Sequence, residues 1–519
     1  MSGQSQTEVI TFLSDGINLP GRAQVTVVQT HGALVFLCGA DAYKIKRDVR
    51  YDYLDFSTPR KRHDMLLREL ELNAPMAPSI YRDVIAVTRD KGGCLRLGGK
   101  GEAVEWVLRM HRFDTADELD KVAGRGALSD RIAEDLGAVI ARYHATTPLR
   151  RKIPGSDLID AILDELNTAF ATMTDQLGAN PVGQFRVAGD HAFQRVKATL
   201  DARGTAGHVR RCHGDLHLRN IVLIAGIPTL FDALEFDETL GTCDVLYDLA
   251  FLLMDLCHKG LERSANIVLN SYLFHSADPD HLAGLSLMPL FQSIRAAIRA
   301  MVAVQTARFS PDDAALLPEA RRYISGALAA LTPPPAQLIA IGGPSGTGKT
   351  VLAAAIAHLI GAAPGAVHLR SDLERKALFG VSPRTRLPGS AYGAETNARV
   401  HAILRDKARA ILSAGHSVIL DATWLDAHDR AHLPDLARQS GARFTGLWLT
   451  ADLAVLERRV GARRGDASDA DATVVRRQTE GMRNPQSWLQ VDASGSAEET
   501  FRLVLHHLSG PPPTPRNRG

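Results

Sequence analysis

Hydrophobic positions change their period along this chain, and the changes mark out its parts. Residues 24–29 and 33–38 are β-branched or apolar runs, and Gly39-Ala40-Asp41 makes a turn before a third run at 42–49. These runs predict strands. A helix is expected over 59–73 and a further strand over 104–109. Beyond Ser129 the spacing turns helical, with Ile132, Leu136, Val139, Ile140 and Tyr143 at helical intervals. A β-rich island from 213 to 236 interrupts that stretch. The pattern is a small β lobe followed by a larger helical lobe.

A helix expected over 319–331 runs into Thr332-Pro333-Pro334-Pro335, and an apolar strand follows at 337–341. Consecutive prolines neither continue a helix nor join a ladder. Residues 332–336 therefore read as a linker between domains at 1–331 and 337–510. The second domain alternates strand and helix, the mark of a parallel sheet. The Pro- and Arg-rich end, 511–519, is expected to be a disordered tail. The expected fold class is thus two domains, α+β and then α/β.

Composition mainly excludes. Hydrophobic residues make up 45%, charged residues 23%, and the formal net charge is +2. That is an ordinary globular balance, with no global field aimed at nucleic acid or an anionic membrane. An aromatic content of 6% also argues against a stacking channel for single strands. The five cysteines contain no C-x-x-C pair, so neither a disulfide framework nor a zinc site is expected. A reducing, cytoplasmic setting fits. The chain opens without a signal-peptide pattern. It has no apolar run of about 18 residues, so no membrane span is expected.

The most specific string is Gly343-Pro-Ser-Gly346-Thr-Gly348-Lys349-Thr350. It matches G-x-x-x-x-G-K-[ST] between an apolar strand and an Ala-rich helical segment, the context a phosphate loop needs. Glycines let backbone N–H groups converge on phosphate oxygens, and the helix N-terminus adds positive charge. Lys349 would reach the β- and γ-phosphates of ATP, and Thr350 would ligate Mg²⁺. A second apolar strand, 418–420, ends at Asp421, placed to hold Mg²⁺ through water. Asp372 sits where a small kinase places a base for an acceptor hydroxyl, or else caps a helix over 373–379. Arginines within 456–469 could close over the triphosphate.

This region resembles the small P-loop kinases: gluconate kinase, zeta toxin, chloramphenicol phosphotransferase and the kinase domain of phage polynucleotide kinase. Three strings beyond the phosphate loop carry the resemblance, which spans 337–508. They are Arg370-Ser-Asp-Leu-Glu-Arg-Lys, Asp421-Ala-Thr with Arg430 after it, and Arg463-Arg-Gly-Asp-Ala-Ser-Asp-Ala. The resemblance implies Asp372 as acceptor-side base, Arg430 near acceptor or phosphate, and Arg463 in a lid.

A second constellation is Cys212-His-Gly-Asp215-Leu-His217-Leu-Arg-Asn220. An Asp and an Asn five residues apart in a loop suit phosphoryl transfer: Asp215 orients the acceptor hydroxyl and Asn220 ligates Mg²⁺. A hairpin turning at Ala225-Gly226 would return Asp232 beside Asn220 as a second metal ligand. Glu235 is the alternative, because strand alternation sets the two acids on opposite faces. Asp244 and Asp248, four apart at a helix start, read as braces of the loop.

These residues resemble the aminoglycoside phosphotransferase and choline kinase group, with its bilobal protein-kinase-like fold. Residues 212–220 match its catalytic motif, and 244–250 resemble its Gly-Asp-Pro-x-x-Asp-Leu-Ala segment. The resemblance implies ATP between two lobes, Asp215 as base, and Asn220 with Asp232 on Mg²⁺. It also asks for a strand lysine and a helix glutamate. Lys44 and Lys46 share a strand face; placement after the Gly39 turn favours Lys46, with Glu69 as partner and Glu71 second. Strand 105–110 would be the hinge beside adenine. No G-x-G-x-x-G loop precedes the lysine, a departure that weakens a protein-kinase reading more than a small-molecule one.

The order of domains resembles predicted bacterial bifunctional aminoglycoside phosphotransferase/ATP-binding proteins. Two kinase-type sites using ATP and Mg²⁺ on a small hydroxyl-bearing acceptor are expected. The alternatives are one active kinase with a nucleotide-binding regulatory module, or a polynucleotide end kinase. The acceptor and the oligomeric state are not legible.

Overall fold

The computed structural model describes residues 2–30, 32–51, 54–150, 154–309, 313–462 and 467–509. The chain divides into two compact units, Met1–Leu158 with Leu200–Asp255, and Ile159–Thr199 with Leu256–Gly519. The expected tail at 511–519 lies outside the described residues.

The first unit is built on an antiparallel sheet of β1 (Val25–Gln29), β2 (Ala33–Cys38), β3 (Asp41–Lys46), β4 (Tyr81–Arg89), β5 (Leu95–Leu97) and β6 (Glu102–His111), in the order β1-β2-β3-β6-β4-β5. Period-two alternation gives the sheet two working faces. Phe36, Tyr43 and Ile45 pack with Val9 and Leu13 of α1 (Ser2–Ser14). Ala42, Leu108 and Met110 pack with Leu66 of α2 (Pro59–Asn73). Helix α2 begins where its sequence says it should. Thr58 accepts a hydrogen bond from the Lys61 amide, and proline occupies the first turn, where no N–H is needed. Helix α1 and strand β4 were not expected from the pattern.

Farther along, β7 (Ile221–Ile224) and β8 (Ile227–Leu230) form the expected hairpin. Its turn residues Ala225 and Gly226 have φ of 50° and 79°, the two-residue turn that matches strand twist. Helix α3 (Val245–His258) follows.

The second unit contains α4 (Glu262–Ser276) and a five-stranded parallel sheet of β9 (Gln337–Gly342), β10 (Val367–Arg370), β11 (Val418–Asp421), β12 (Arg443–Thr450) and β13 (Leu489–Asp492). The order is β10-β11-β9-β12-β13, with β9 central. Ile339, Ile341, Ile419, Leu447 and Leu449 form its core with Leu352 and Ile356 of α5 (Lys349–Ile356). This is the parallel α/β fold the alternation implied. The stretch Asp280–Arg308 is long and apolar enough to cross a membrane by composition, but 67% of its apolar window is buried inside the protein. That burial marks it as a core helix.

Candidate active sites

The first site is a cluster of charge brought together from four distant segments. Because Lys44 and Lys46 are two apart on β3, both ammonium groups face α2 and both reach Glu69. Lys44 Nζ lies 2.7 Å from Glu69 Oε1, and Lys46 Nζ lies 2.7 Å from Glu69 Oε2. Each lysine has a second partner. Lys44 is 2.8 Å from Asp232 Oδ1, and Lys46 is 2.5 Å from Glu235 Oε1. Placement after the Gly39 turn favours Lys46 as the working lysine. The structure engages both, and of the two only Lys44 is paired with Asp232.

The expectation that Asp232 and Glu235 point to opposite faces is not met. Strand β8 ends at Leu230, and Asp232 adopts φ of 60°, so alternation no longer applies. The segment is pinned instead: the Asp232 amide donates to Tyr81 Oη at 3.1 Å, and the Ala233 amide donates to Asn73 Oδ1 at 2.8 Å. Both acids therefore arrive at the lysine pair. Burial works against every charge here, and opposite charge overrides it for most. Lys44 is held well above the usual amine range by Asp232 and Glu69, and Asp232 is held below the usual carboxyl range by Lys44. For Glu235 burial wins, and its pKa is raised.

The loop 213–220 supplies the other groups. Asn220 Nδ2 donates to the backbone O and to Oδ2 of Asp215, both at 2.9 Å, which orients the side-chain Oδ1 of Asn220 as the atom that could meet a cation. His217 Nε2 lies 3.3 Å from Asp215 Oδ2. Asp248 braces the loop: it accepts from the His213 and Gly214 amides at 3.2 and 2.8 Å and pairs with His144 at 3.1 Å. Asp244 makes a two-pronged pair with Arg203 at 2.7 and 2.8 Å. These contacts agree with the reading of Asp244 and Asp248 as braces. Asp255 on α3 was missed; it accepts from the Leu218 amide at 3.0 Å and anchors the far end of the loop. Glu105, assigned to a hinge strand, is buried and paired with Arg62 at 2.7 Å.

The second site is local. The loop 343–348 joins β9 to α5, and Gly343, Gly346 and Gly348 have φ of 129°, 93° and 88°. A Cβ on Gly343 would sit 2.2 Å from the Leu449 carbonyl oxygen, so only glycine fits there. Lys349 Nζ donates to Pro344 O at 2.9 Å, and the Ser345 amide donates to Gln478 Oε1 at 2.8 Å. Thr350 Oγ1 donates to Asp421 Oδ2 at 2.6 Å. These two hard oxygen donors on adjacent strand and helix ends suit Mg²⁺. Asp421 is buried. Burial opposes its charge, but the hydrogen bond and charge of His368, with Lys349 and Arg370, hold its pKa at about 2.

Ser345, Lys349, Thr350 and Asp421 line a cavity of about 1530 Å³ that also reaches Asp372, Arg375, His401 and Arg430. Asp372 lies in the first turn of α6 (Ser371–Leu378), whose N-cap is Arg370, so Asp372 is not the cap. Burial, and then the charge of Asp421, raise its pKa. Arg430 donates to the carbonyls of Trp424 and Leu425 at 2.5 and 2.8 Å, and its guanidinium lies over Trp448. Arg463 lies outside the described residues. His368 was missed. It lies four residues before Asp372, yet nothing local signals that its ring reaches Asp421 at 3.2 Å.

Known protein families match two segments of the chain. Residues 69–285 match the phosphotransferase enzyme family. Residues 338–485 match an AAA domain. The chain is a phosphotransferase enzyme with a kinase-like first part and a P-loop second part. It is 29% identical to an uncharacterized protein of Mycobacterium tuberculosis over 497 residues, covering 93% of this chain and 95% of that one. Among solved structures, a gluconokinase from Sinorhizobium meliloti is similar over 34% of this chain and 98% of its own, at 19% identity and a TM-score of 0.24. A choline/ethanolamine kinase family protein from Mesorhizobium loti is similar over 63% of this chain and 99% of its own, at 16% identity and a TM-score of 0.36.

Proposed function

We propose that the chain transfers the γ-phosphoryl group of ATP to hydroxyl groups of small molecules at two sites. The observation that supports this reading is that the first part of the chain groups Lys44, Glu69 and Asp232 with the loop carrying Asp215 and Asn220, and the second groups Lys349, Thr350 and Asp421 around a cavity that reaches Asp372. In the first site Lys44, oriented by Glu69, faces the phosphates, with Lys46 as a supporting cation. Asn220 and Asp232 hold Mg²⁺, and Asp215 takes the acceptor proton. In the second, the glycine loop with Lys349 cradles the phosphates. Thr350 and Asp421 hold Mg²⁺, and Asp372 takes the acceptor proton. Bound Mg²⁺ would neutralise charge on the β- and γ-phosphate oxygens. The acceptor oxygen attacks phosphorus, the bond to the β–γ bridging oxygen breaks, and ADP leaves. We assign the two functional domains to 1–331 and 337–510 in sequence, bounds that differ from the compact units, which take 159–199 and 256–331 into the second.

The test is acceptor-dependent ADP release by the full chain against a pool of small hydroxyl metabolites. The variants are Asp215→Ala, Lys349→Ala and the double substitution. Two sites predict that each single variant keeps activity on a different set of acceptors and that the double variant loses both. If either single substitution removes all acceptor-dependent turnover, the two-site reading fails.

A further inference from the structure

The strand β10 is an edge of the parallel sheet, so its outer row of N–H and C=O groups has no partner strand. Edges of this kind are normally covered or blunted. Here side chains from the segment before the prolines cover it. Asn270 Oδ1, on α4, accepts from the His368 amide at 2.7 Å. Asn266 Nδ2, one turn earlier and buried, donates to Ala366 O at 3.0 Å. Two more side chains reach backbone carbonyls of the same region. Arg263 Nη1 donates to Ala354 O at 3.0 Å, and Gln292 Nε2 donates to Ala363 O at 3.2 Å. All four contacts are to backbone, so they specify a position rather than a side chain.

One of the four, from Asn270, holds a residue that touches Asp421. The His368 amide is held by Asn270, and its ring Nε2 lies 3.2 Å from Asp421 Oδ2. The same Oδ2 accepts from Thr350 Oγ1 at 2.6 Å. His368 and Asp421 are only 10% and 5% exposed, so neither side chain has room to choose another arrangement. The path from α4 to the carboxylate is thus one helix, one amide hydrogen bond and one ring.

We propose that His368 and Asn270 are positioning residues for the Mg²⁺ site of the phosphate loop, and that α4 is a built-in support of that site. This rests on the reading of Thr350 and Asp421 as Mg²⁺ ligands. The ring fixes the Asp421 carboxylate so that Oδ1 is presented to the cation or its water. Asn270 fixes the strand that carries the ring. Partners of metal ligands commonly set metal affinity in this way. The P-loop half then depends on a helix that precedes the proline stretch in sequence.

The test is equilibrium binding of a fluorescent ATP analogue to the full chain as Mg²⁺ is titrated. The component lost in Lys349→Ala is assigned to the phosphate loop. For that component, His368→Leu and Asn270→Leu are each expected to raise the Mg²⁺ concentration at half-saturation by about tenfold. Nucleotide affinity at saturating Mg²⁺ should stay near wild type, a pattern that mere loosening of the fold would not produce. His368→Gln, whose amide can replace the ring N–H, should restore most of the Mg²⁺ response. An unchanged half-saturation in both Leu variants overturns the inference while leaving the nucleotide site standing. Equal weakening at all Mg²⁺ concentrations overturns it too. If Lys349→Ala removes no component, the phosphate-loop reading itself fails, and the inference goes with it.

Discussion

The two sites meet the same electrostatic demand with different materials. In the phosphate loop the positive charge comes largely from backbone: three left-handed glycines and a helix N-terminus, all within Gly343–Thr350, with one lysine added. In the first site it comes from a buried Lys46 and a partly buried Lys44, offset by Glu69, Asp232 and Glu235, drawn from a helix and a loop far along the chain. Backbone dipoles need no counter-ion, whereas buried ammonium groups do. The first site is therefore bound to the integrity of its whole unit. The second is bound chiefly to one turn of chain and the edge that supports it.

Four measurements break or sharpen that contrast. The largest effect is on turnover. Lys349→Ala should cost the phosphate-loop site about 10³-fold or more in kcat while leaving acceptors of the first site untouched, and Asp215→Ala should do the reverse. Loss at both sites from one substitution would mean the sites are not independent.

Next is stability. Glu69→Leu removes the carboxylate shared by both ammonium groups, leaving each with one partner, and should destabilise the fold by about 1–3 kcal/mol in chemical denaturation. Lys349→Ala should barely move the unfolding midpoint. Comparable stability losses in the two would erase the contrast. Within the same cluster, Lys44→Met should depress first-site kcat more than Lys46→Met, since of the two only Lys44 is paired with Asp232.

The third is pH dependence. Burial raises the pKa of Asp372, so a base there stays protonated to higher pH than an ordinary carboxyl. Second-site kcat/KM should fall as pH drops through a value above 3.8, and Asp372→Asn should remove that limb along with most activity. Asp421, depressed to about 2, favours the folded state above its unfolded pKa, and that contribution is lost as pH falls towards 2. A second-site profile with no acid limb above pH 3.8 would remove Asp372 from the role.

The smallest effect is local. Thr58→Ala deletes the cap of the helix that carries Glu69 and should cost about 1 kcal/mol, read as a shift in the thermal midpoint. A larger loss would show that the cap also holds the charge cluster in place.

What was legible in the sequence follows from how far each feature reaches along the chain. The phosphate loop, the hairpin turning at Ala225-Gly226 and the capped helix from Pro59 to Asn73 are each decided by residues within a few positions of one another. Glycine φ, proline in a first turn and strand period act locally. The string 212–220 was legible for the same reason. Tertiary structure decided the rest. It brought Asp232 and Glu235 together by ending a strand early. It engaged both lysines through one glutamate. It set Asp255 under the loop 213–220 and His368 against Asp421, and it laid α4 along the open edge of a sheet that begins 61 residues after that helix ends. Each is a pairing of groups distant in sequence, and which of many compatible partners a buried charge or an open strand edge finds is determined only when the surrounding core has packed.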